Sequence, residues 1–176
     1  YISAYPWSAS GFGTKFSNPA TLPTGSGDGV AFSPAGTEIA VVHSSAPCVT
    51  AYPWSGSGFG TKFSDPATTP GTAGRDIAFS PAGTEIAVAH SGSSPYITAY
   101  PWSAAGFGTK FTDPATLPTG DSYSVAFSTA GTGIAVGHQT SPFVTAYAWS
   151  ASGFGAKFSN PPSLPPDLVN GVAFSP

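Results

Sequence analysis

Short runs of apolar residues alternate along the chain with turns rich in Gly, Pro, Ser and Thr. The run Val30–Ser33 ends at a Pro-Ala-Gly turn sequence, and Glu38–His43 follows as a second run. Residues 39–42 are all apolar, so both sides of an extended segment would be apolar there. We expect the two runs to form a β-hairpin around Ser33–Thr37, with a second strand that is buried on both faces.

Two further strands are predicted in the same stretch of sequence. Ser-Ser-Ala-Pro at 44–47 interrupts the chain, and Val49–Pro53 reads as a third strand. A Gly- and Ser-rich turn through Trp54–Gly60 then precedes a weaker fourth strand around Thr61–Ser64. Because no window shows helical periodicity, the pattern predicts an all-β unit of four short strands.

This unit recurs along the whole chain. The four tryptophans are spaced 47, 48 and 47 residues apart, and each closes a copy of the phrase Ala-Tyr-Pro/Ala-Trp-Ser: Trp7, Trp54, Trp102 and Trp149. The repeats are therefore 1–47, 48–95, 96–142 and a partial 143–176, read as a single array over 1–176. Small antiparallel sheets repeated at this length are typical of β-propeller blades.

The hairpin phrase VAFSPAGTEIAV at Val30, followed by VTAYPWS, resembles WD40- and YVTN-type propeller repeats. The resemblance implies four-stranded antiparallel blades, about 3.7 of them in this chain, within a ring of about six to eight. The near-identical copies are similar to recently amplified propellers of bacterial or phage type. Tyr52-Pro53 stands where that family has Trp-Asp, so we do not expect its hydrogen-bonded tetrad. Trp54 is predicted to begin the following turn.

The order of strands predicts an open ring. In this reading the chain begins in a third strand at Tyr1–Pro6 and ends in a first strand at Gly171–Ser175. The blade that joins the two ends would lack its second strand, which leaves backbone groups unpaired. We therefore expect further repeats to complete the ring, and we favour a longer parent chain over a second copy as their source.

Composition excludes several classes of function. Only 7% of the residues are charged, the net charge is −3, and the five cations are scattered, which argues against nucleic-acid binding. The apolar runs are too short for membrane insertion, and a single cysteine excludes a disulfide framework. The low charge and the turn-rich composition favour an extracellular, cell-surface or virion-associated setting over a cytoplasmic one.

Residues with potential catalytic or metal-binding chemistry follow the repeat. The histidines occupy one position at the end of the second strand, as structural or solvent-facing residues: His43, His90 and His138. In the Gly-x-Gly-x-Gly tract before Lys62, the Gly-Phe-Gly part recurs in every repeat, and the tract lacks the spacing of a phosphate-binding loop. No acid pair or nucleophile order stands out, so we expect no enzyme activity, no metal and no cofactor.

The copies differ mainly in two kinds of loop: the segments that enter each first strand and the turns after each second strand. In a propeller these loops share one face of the disc, here called the variable face, and loops on a rigid scaffold often bind partners. The candidate binding residues there are Asp28, Arg75, Asp76, Asp121, Tyr123 and Asn170.

The predicted function is a non-catalytic scaffold that mediates protein–protein interaction or structural assembly through the variable face. The partner would be another protein or further copies of the chain. A lectin-like, carbohydrate-binding propeller is the alternative, because aromatic stacking with Asp and Asn hydrogen bonds suits a glycan.

Overall fold

The computed structural model describes residues 2–176, and every regular element in that part of the chain is a β-strand. The described residues contain no helix that is long and apolar enough to span a bilayer. The strands are β1 (Trp7–Ser8), β2 (Gly11–Phe12), β3 (Gly27–Phe32), β4 (Glu38–His43), β5 (Val49–Ser55), β6 (Gly58–Phe59), β7 (Ala73–Phe79), β8 (Glu85–Ser91), β9 (Ile97–Ser103), β10 (Gly106–Phe107), β11 (Ser122–Phe127), β12 (Gly133–His138), β13 (Val144–Ser150) and β14 (Gly153–Lys157).

Strands that follow one another in the chain pair with one another in space. Strands β3–β6 form the first sheet, β7–β10 the second sheet and β11–β14 the third sheet, each four-stranded and antiparallel. Strands β1 and β2 form a separate two-stranded hairpin. The predicted all-β architecture of four-stranded antiparallel sheets is confirmed.

The predicted turn at Trp54–Gly60 is wrong, because the third strand is longer than expected. Trp54 and Ser55 belong to β5, and Gly58 already begins β6. Gly58 has a φ of +96°, in the left-handed region that favours glycine, so the chain reverses within two residues. As a result, Trp54 lies within the sheet, at the end of the third strand.

The predicted fourth strand at Thr61–Ser64 is also wrong, because the ladder becomes irregular after β6. Beyond β6, the amide of Gly60 donates to the carbonyl of Pro53 (2.8 Å) and the amide of Phe63 to that of Ala51 (3.0 Å). The donors Gly60 and Phe63 are three residues apart, whereas the acceptors Ala51 and Pro53 are two apart, and this mismatch is the spacing of a β-bulge. The segment therefore follows β5 without forming a regular strand.

The first predicted strand, Tyr1–Pro6, is not a regular strand either. Tyr1 lies outside the described residues, and residues 2–6 belong to no strand. Their carbonyls nevertheless accept the same two amide bonds that join β5 to the segment after β6: Phe16 donates to Ala4 (3.0 Å) and Gly13 to Pro6 (2.9 Å). This part of the chain therefore has one bonded neighbour and lacks the second-strand neighbour that β5 has.

At the other end, the predicted strand Gly171–Ser175 is wrong for the same reason. The segment forms no ladder within the described residues, because no second strand follows it there. Its amide at Val172 donates to Ser124 Oγ at 3.1 Å, which places the segment beside β11.

The three sheets pack face to face in chain order, and their second strands are the most buried elements. One apolar cluster joins the first sheet to the second: Ala40, Val42, Val49, Ala51, Ile77, Phe79, Ile86, Val88, Tyr100 and Trp102. The equivalent cluster joins the second sheet to the third: Ala87, Ala89, Ile97, Ala99, Val125, Phe127, Ile134, Val136, Tyr147 and Trp149. Burial on both sides explains why the second strands are continuously apolar.

An aromatic cage surrounds the tryptophan of each sheet. It has one Phe from the first strand, one from the fourth, and one from the segment that precedes the sheet. All contacts are edge-to-face, with ring centroids 4.9–5.5 Å apart. The cages are Trp54 with Phe16, Phe32 and Phe59; Trp102 with Phe63, Phe79 and Phe107; and Trp149 with Phe111, Phe127 and Phe154. Each cage thus ties a sheet to the repeat before it.

A buried tyrosine adds a polar link at each of these boundaries. The tyrosine that stands at the Trp position of the resembled family is fully buried. Its hydroxyl donates to a backbone carbonyl of the preceding repeat: Tyr52 to Thr21 (2.7 Å), Tyr100 to Thr68 (2.7 Å) and Tyr147 to Thr116 (2.8 Å). Since a buried hydroxyl needs a partner, this bond fixes the distance between neighbouring repeats.

The two kinds of variable loop contact one another, as the predicted shared face requires. The amide of Ser44, after β4, donates to the carbonyl of Ser26, before β3, at 3.0 Å. Thr24 Oγ1 donates to the carbonyl of Ala46 at 2.7 Å, which joins the same two loops.

Candidate functional site

A β-bulge interrupts the first strand of every sheet at the same repeat position. The register shifts between Gly27 and Gly29, between Gly74 and Asp76, and between Ser122 and Ser124. A bulged residue leaves the ladder and its side chain is redirected. The residues at this position are Asp28, Arg75 and Tyr123, and Asn170 is their equivalent in the last repeat; we call these four the bulge row.

Side chains of the bulge row contact each other from sheet to sheet. Arg75 Nη1 lies 3.7 Å from Asp28 Oδ2, and the guanidinium carbon lies 6.0 Å from the centre of the Tyr123 ring. Arg75 Nε also donates to Ser91 Oγ at 3.0 Å, which orients the guanidinium. The side chains of Arg75 and Asp28 are 38% and 30% exposed, so the row presents a cation, an anion and a phenol to solvent.

The other predicted binding residues have different surroundings. Asp76 Oδ2 accepts hydrogen bonds from Ser124 Oγ and from the amide of Val125, both at 2.9 Å, and thereby joins the second sheet to the third. Asp121 Oδ1 accepts from the amide of Gly92 at 2.8 Å across the same boundary. The structure thus brings Asp28, Arg75 and Tyr123 together, engages Asp76 and Asp121 between sheets, and leaves Asn170 exposed in the last segment.

The three histidines are structural rather than solvent-facing. Each is fully buried, and its Nε2 is hydrogen-bonded to a threonine hydroxyl of the third strand: His43 to Thr50 (2.9 Å), His90 to Thr98 (2.9 Å) and His138 to Thr145 (2.8 Å). Burial lowers the pKa of all three, and that of His90 falls to about 4. Residues 2–176 contain no group of three or more His, Cys, Asp or Glu side chains placed to hold a metal ion.

His90 differs from the other two at its second ring nitrogen. Thr24 and Thr119 place a hydroxyl 3.4 Å from Nδ1 of His43 and His138, whereas Gly71 stands at the equivalent position before His90. Nδ1 of His90 therefore has no hydrogen-bond partner among the described residues. The missing hydroxyl removes one group that could stabilise a protonated ring.

On the opposite face, a cleft opens at each boundary between sheets. The first is lined by the turn after β3, the turn after β7 and Trp102; the second lies one repeat further on, with Trp149. Glu38 lines the first cleft and Glu85 the second. Nε1 of both tryptophans is buried without a hydrogen-bond partner in the described structure.

Sequence reasoning missed these clefts because it looked for differences between copies. Their turns, Ser33–Thr37 and its copies, barely change from one repeat to the next. If a binding site occurred once at every boundary, the sequence of these turns would stay constant. Turns with a purely structural role would also keep a constant sequence. Only the packed sheets show that two such turns and a tryptophan meet.

No protein-family model and no curated protein matches the chain. Several solved structures do. A Lactobacillus plantarum protein aligns with a TM-score of 0.69 at 18% identity, over 88% of this chain and 48% of that one. Two Bacteroides proteins provisionally assigned as 6-phosphogluconolactonases also align. The one from Bacteroides fragilis gives a TM-score of 0.68 at 13% identity, over 80% and 40% of the two chains. The one from Bacteroides uniformis gives 0.61 at 20% identity, over 88% and 49%.

The fold is β-propeller-like. The likeness lies in the three-dimensional arrangement alone, since the identities are 13–20%. The chain spans 40–49% of the length of these structures. The number of blades in a complete ring and the closer kinship to WD40 repeats remain predictions.

Proposed function

We propose that the chain is a non-catalytic recognition module that binds a protein partner through the bulge row on its variable face. One observation carries this proposal. Three equivalent bulge positions hold an acid, a cation and a phenol, and the matching position of the last segment holds an amide, although the surrounding repeats are nearly identical. A repeat position with a structural role would be expected to keep one side chain.

The chemistry of the row suits a polar protein surface. Arg and Tyr are enriched among the residues that contribute most to binding at protein interfaces. Arg75 is already oriented by Ser91 and Asp28, so little side-chain entropy is lost when a partner binds. A partner carboxylate on Arg75, and a hydrogen-bond donor on Asp28, would match the row.

A non-catalytic role is supported by the state of the candidate catalytic groups. The histidines are paired with threonines in the core, and Asp76 and Asp121 serve the sheet boundaries. Hydrolysis of 6-phosphogluconolactone is the enzymatic alternative, because two similar structures carry that assignment. We expect 6-phosphogluconolactone to hydrolyse at the same rate with and without the purified chain. Faster hydrolysis that is abolished by Arg75→Ala would contradict the non-catalytic role.

Peptides selected from a random displayed library on the wild-type chain test the proposed surface. Arg75→Ala and Tyr123→Ala should each weaken binding of the selected peptides by about tenfold or more. Glu38→Gln, on the opposite face, serves as the matched control and should leave their affinity unchanged. Unchanged binding in both bulge-row variants would refute the proposed surface.

Carbohydrate binding is the second candidate, and the repeated clefts favour it. Each cleft combines a carboxylate, several hydroxyls and the edge of a tryptophan ring. A sugar offers hydroxyl donors for Glu38 and Glu85 and oxygen acceptors for the Ser and Thr hydroxyls of the clefts. Two equivalent clefts would bind two residues of a glycan chain at once and gain avidity.

A glycan array, followed by NMR of the indole N–H resonances, tests this candidate. A glycan hit should shift the resonances of Trp102 and Trp149, and Glu38→Gln combined with Glu85→Gln should remove the hit. Trp7 lies outside both clefts and is the internal control. An array without hits, or shifts confined to Trp7, would reject the clefts as sugar sites.

A further inference from the structure

The first aromatic cage of the chain is incomplete. Trp7 stands at the repeat position of Trp102 and Trp149, but within residues 2–176 its ring contacts one aromatic ring, that of Phe12, which in turn contacts Tyr5. As a result, 72% of Trp7 is exposed, against 5% of Trp102 and 6% of Trp149. By repeat position, Trp7 lacks the Phe of a first strand and the Phe of a preceding segment.

The two missing rings lie at the other end of the chain. Phe158 has the repeat position of Phe63 and Phe111, which close the cages of the following sheets, but within residues 2–176 it contacts no tryptophan ring and is 53% exposed. Phe174 has the repeat position of the first-strand Phe and is 39% exposed. One end therefore offers a tryptophan without its Phe partners, and the other end offers those partners.

A second pair of groups is matched in the same way. Tyr5 is exposed, whereas Tyr52 and its copies are buried and donate to a carbonyl of the preceding repeat. The carbonyl of Ser163 has the repeat position of that acceptor, Thr21. Around Phe158 the third sheet has an open cleft, lined by Val144 and Ala146, where the next repeat would pack.

We propose that a second copy of this chain docks head to tail, with its Trp7 inserted between Phe158 and Phe174 of the first copy. The contact continues the interface seen twice within the chain, from the first sheet to the second and from the second to the third. An interface of this kind joins different surfaces of the two copies, so it either closes into a ring or extends as a filament.

One strand position in the joint stays open. It lies between residues 171–175 of one copy and residues 2–6 of the next, where every complete sheet has a Glu/Gly-Ile-Ala-Val strand. The aromatic contacts come from the segments on either side, so docking does not depend on this strand. A peptide that copies residues 81–91 should fit the position and strengthen docking through backbone hydrogen bonds to both neighbours.

Sedimentation velocity over a wide concentration range tests the proposal, with and without the 81–91 peptide. We expect wild-type chain to associate, and the peptide to strengthen association by about tenfold. A scrambled peptide should have no effect. A wild-type chain that stays monomeric at every concentration, with and without the peptide, would overturn the proposal.

Mixing two variants tests the head-to-tail geometry. Trp7→Ala retains an intact tail and Phe158→Ala an intact head, and both substituted side chains are exposed, so both variants should fold. Each alone should associate about tenfold more weakly than wild type, whereas the mixture should recover one interface as a heterodimer. Failure of the mixture to associate, or wild-type association of either variant alone, would contradict the arrangement.

Discussion

The aromatic cages and the bulge row recur with the same period, but the cage residues are the same in every repeat whereas the bulge-row residue changes. In the cages, one tryptophan and three phenylalanines return unchanged at each boundary between repeats, with Trp102 and Trp149 almost wholly buried. In the bulge row, one repeat position holds Asp28, Arg75, Tyr123 and Asn170 in turn, and its side chains are accessible. The difference separates residues that hold the repeats together from residues whose identity varies from repeat to repeat.

The physical cause lies in the packing of each region. Each cage fills a fixed space between two sheets of the same shape, so any change of volume leaves a void or a clash. A bulged residue has left the ladder, and the side chains of Asp28 and Arg75 are partly exposed. The identity of a bulged residue can change without altering the interface between sheets.

The largest expected effect comes from opening a cage. Trp102→Ala should lower the free energy of unfolding by about 3–5 kcal/mol, because a buried ring is replaced by a cavity. Trp7→Ala, at the equivalent exposed position, is the matched control and should change it by less than about 0.5 kcal/mol in the monomer. Urea unfolding of both variants measures the difference, and equal losses would show that the cages do not hold the sheets together.

Acid should destabilise the fold through the buried histidines. Burial lowers their pKa, to about 4 for His90, whereas an unfolded histidine titrates near 6.5. Between these values the unfolded chain binds protons that the folded chain excludes, so stability falls as the pH is lowered through this window and levels off below it. For His90 the loss is of the order of 3 kcal/mol.

Unfolding free energies measured across this pH window, for wild type and His90→Gln, check the prediction. The variant should show a shallower loss between pH 6.5 and 4, since one of the three buried histidines no longer titrates. An identical pH dependence in the two proteins would assign the acid sensitivity to other groups.

A smaller effect is expected where the variable face touches the boundary between sheets. Asp76→Ala removes the acceptor for Ser124 and for the amide of Val125, and should cost about 1–3 kcal/mol. Asp28→Ala, on the same face, removes only a partly exposed ion pair and should cost less than about 1 kcal/mol. Thermal unfolding of the pair separates a structural carboxylate from a surface one, and equal costs would contradict that assignment.

The hairpins could be predicted from the sequence because their hydrophobic pattern is local. Residues 39–42 are continuously apolar and follow a turn sequence, and they lie in a buried central strand of the structure, Glu38–His43. The third strand was predicted at Val49–Pro53, but its end at Ser55 and the turn after it could not be predicted, because the tight reversal depends on the φ of Gly58 and on the packing of Trp54. The strands predicted at both ends are not regular strands, because a second strand to pair with is missing within the described residues. A local sequence pattern does not show whether such a partner is present.

The candidate site could be predicted only in part. Differences between copies pointed to all six residues of the variable face, yet contact geometry distinguishes them. Asp76 lies one position after the bulged Arg75, and this step moves its carboxylate from the open row into the boundary with Ser124. The clefts at Trp102 and Trp149 arise from residues far apart in sequence.

The affinity of Arg75→Ala/Tyr123→Ala for peptides selected on the wild-type chain tests the central claim most directly. If the bulge row recognises a protein partner and has no structural role, binding falls by about tenfold or more. The unfolding free energy of the variant should stay within about 1 kcal/mol of wild type, because the ion pair it removes is partly exposed. Wild-type affinity in the double variant would contradict the account.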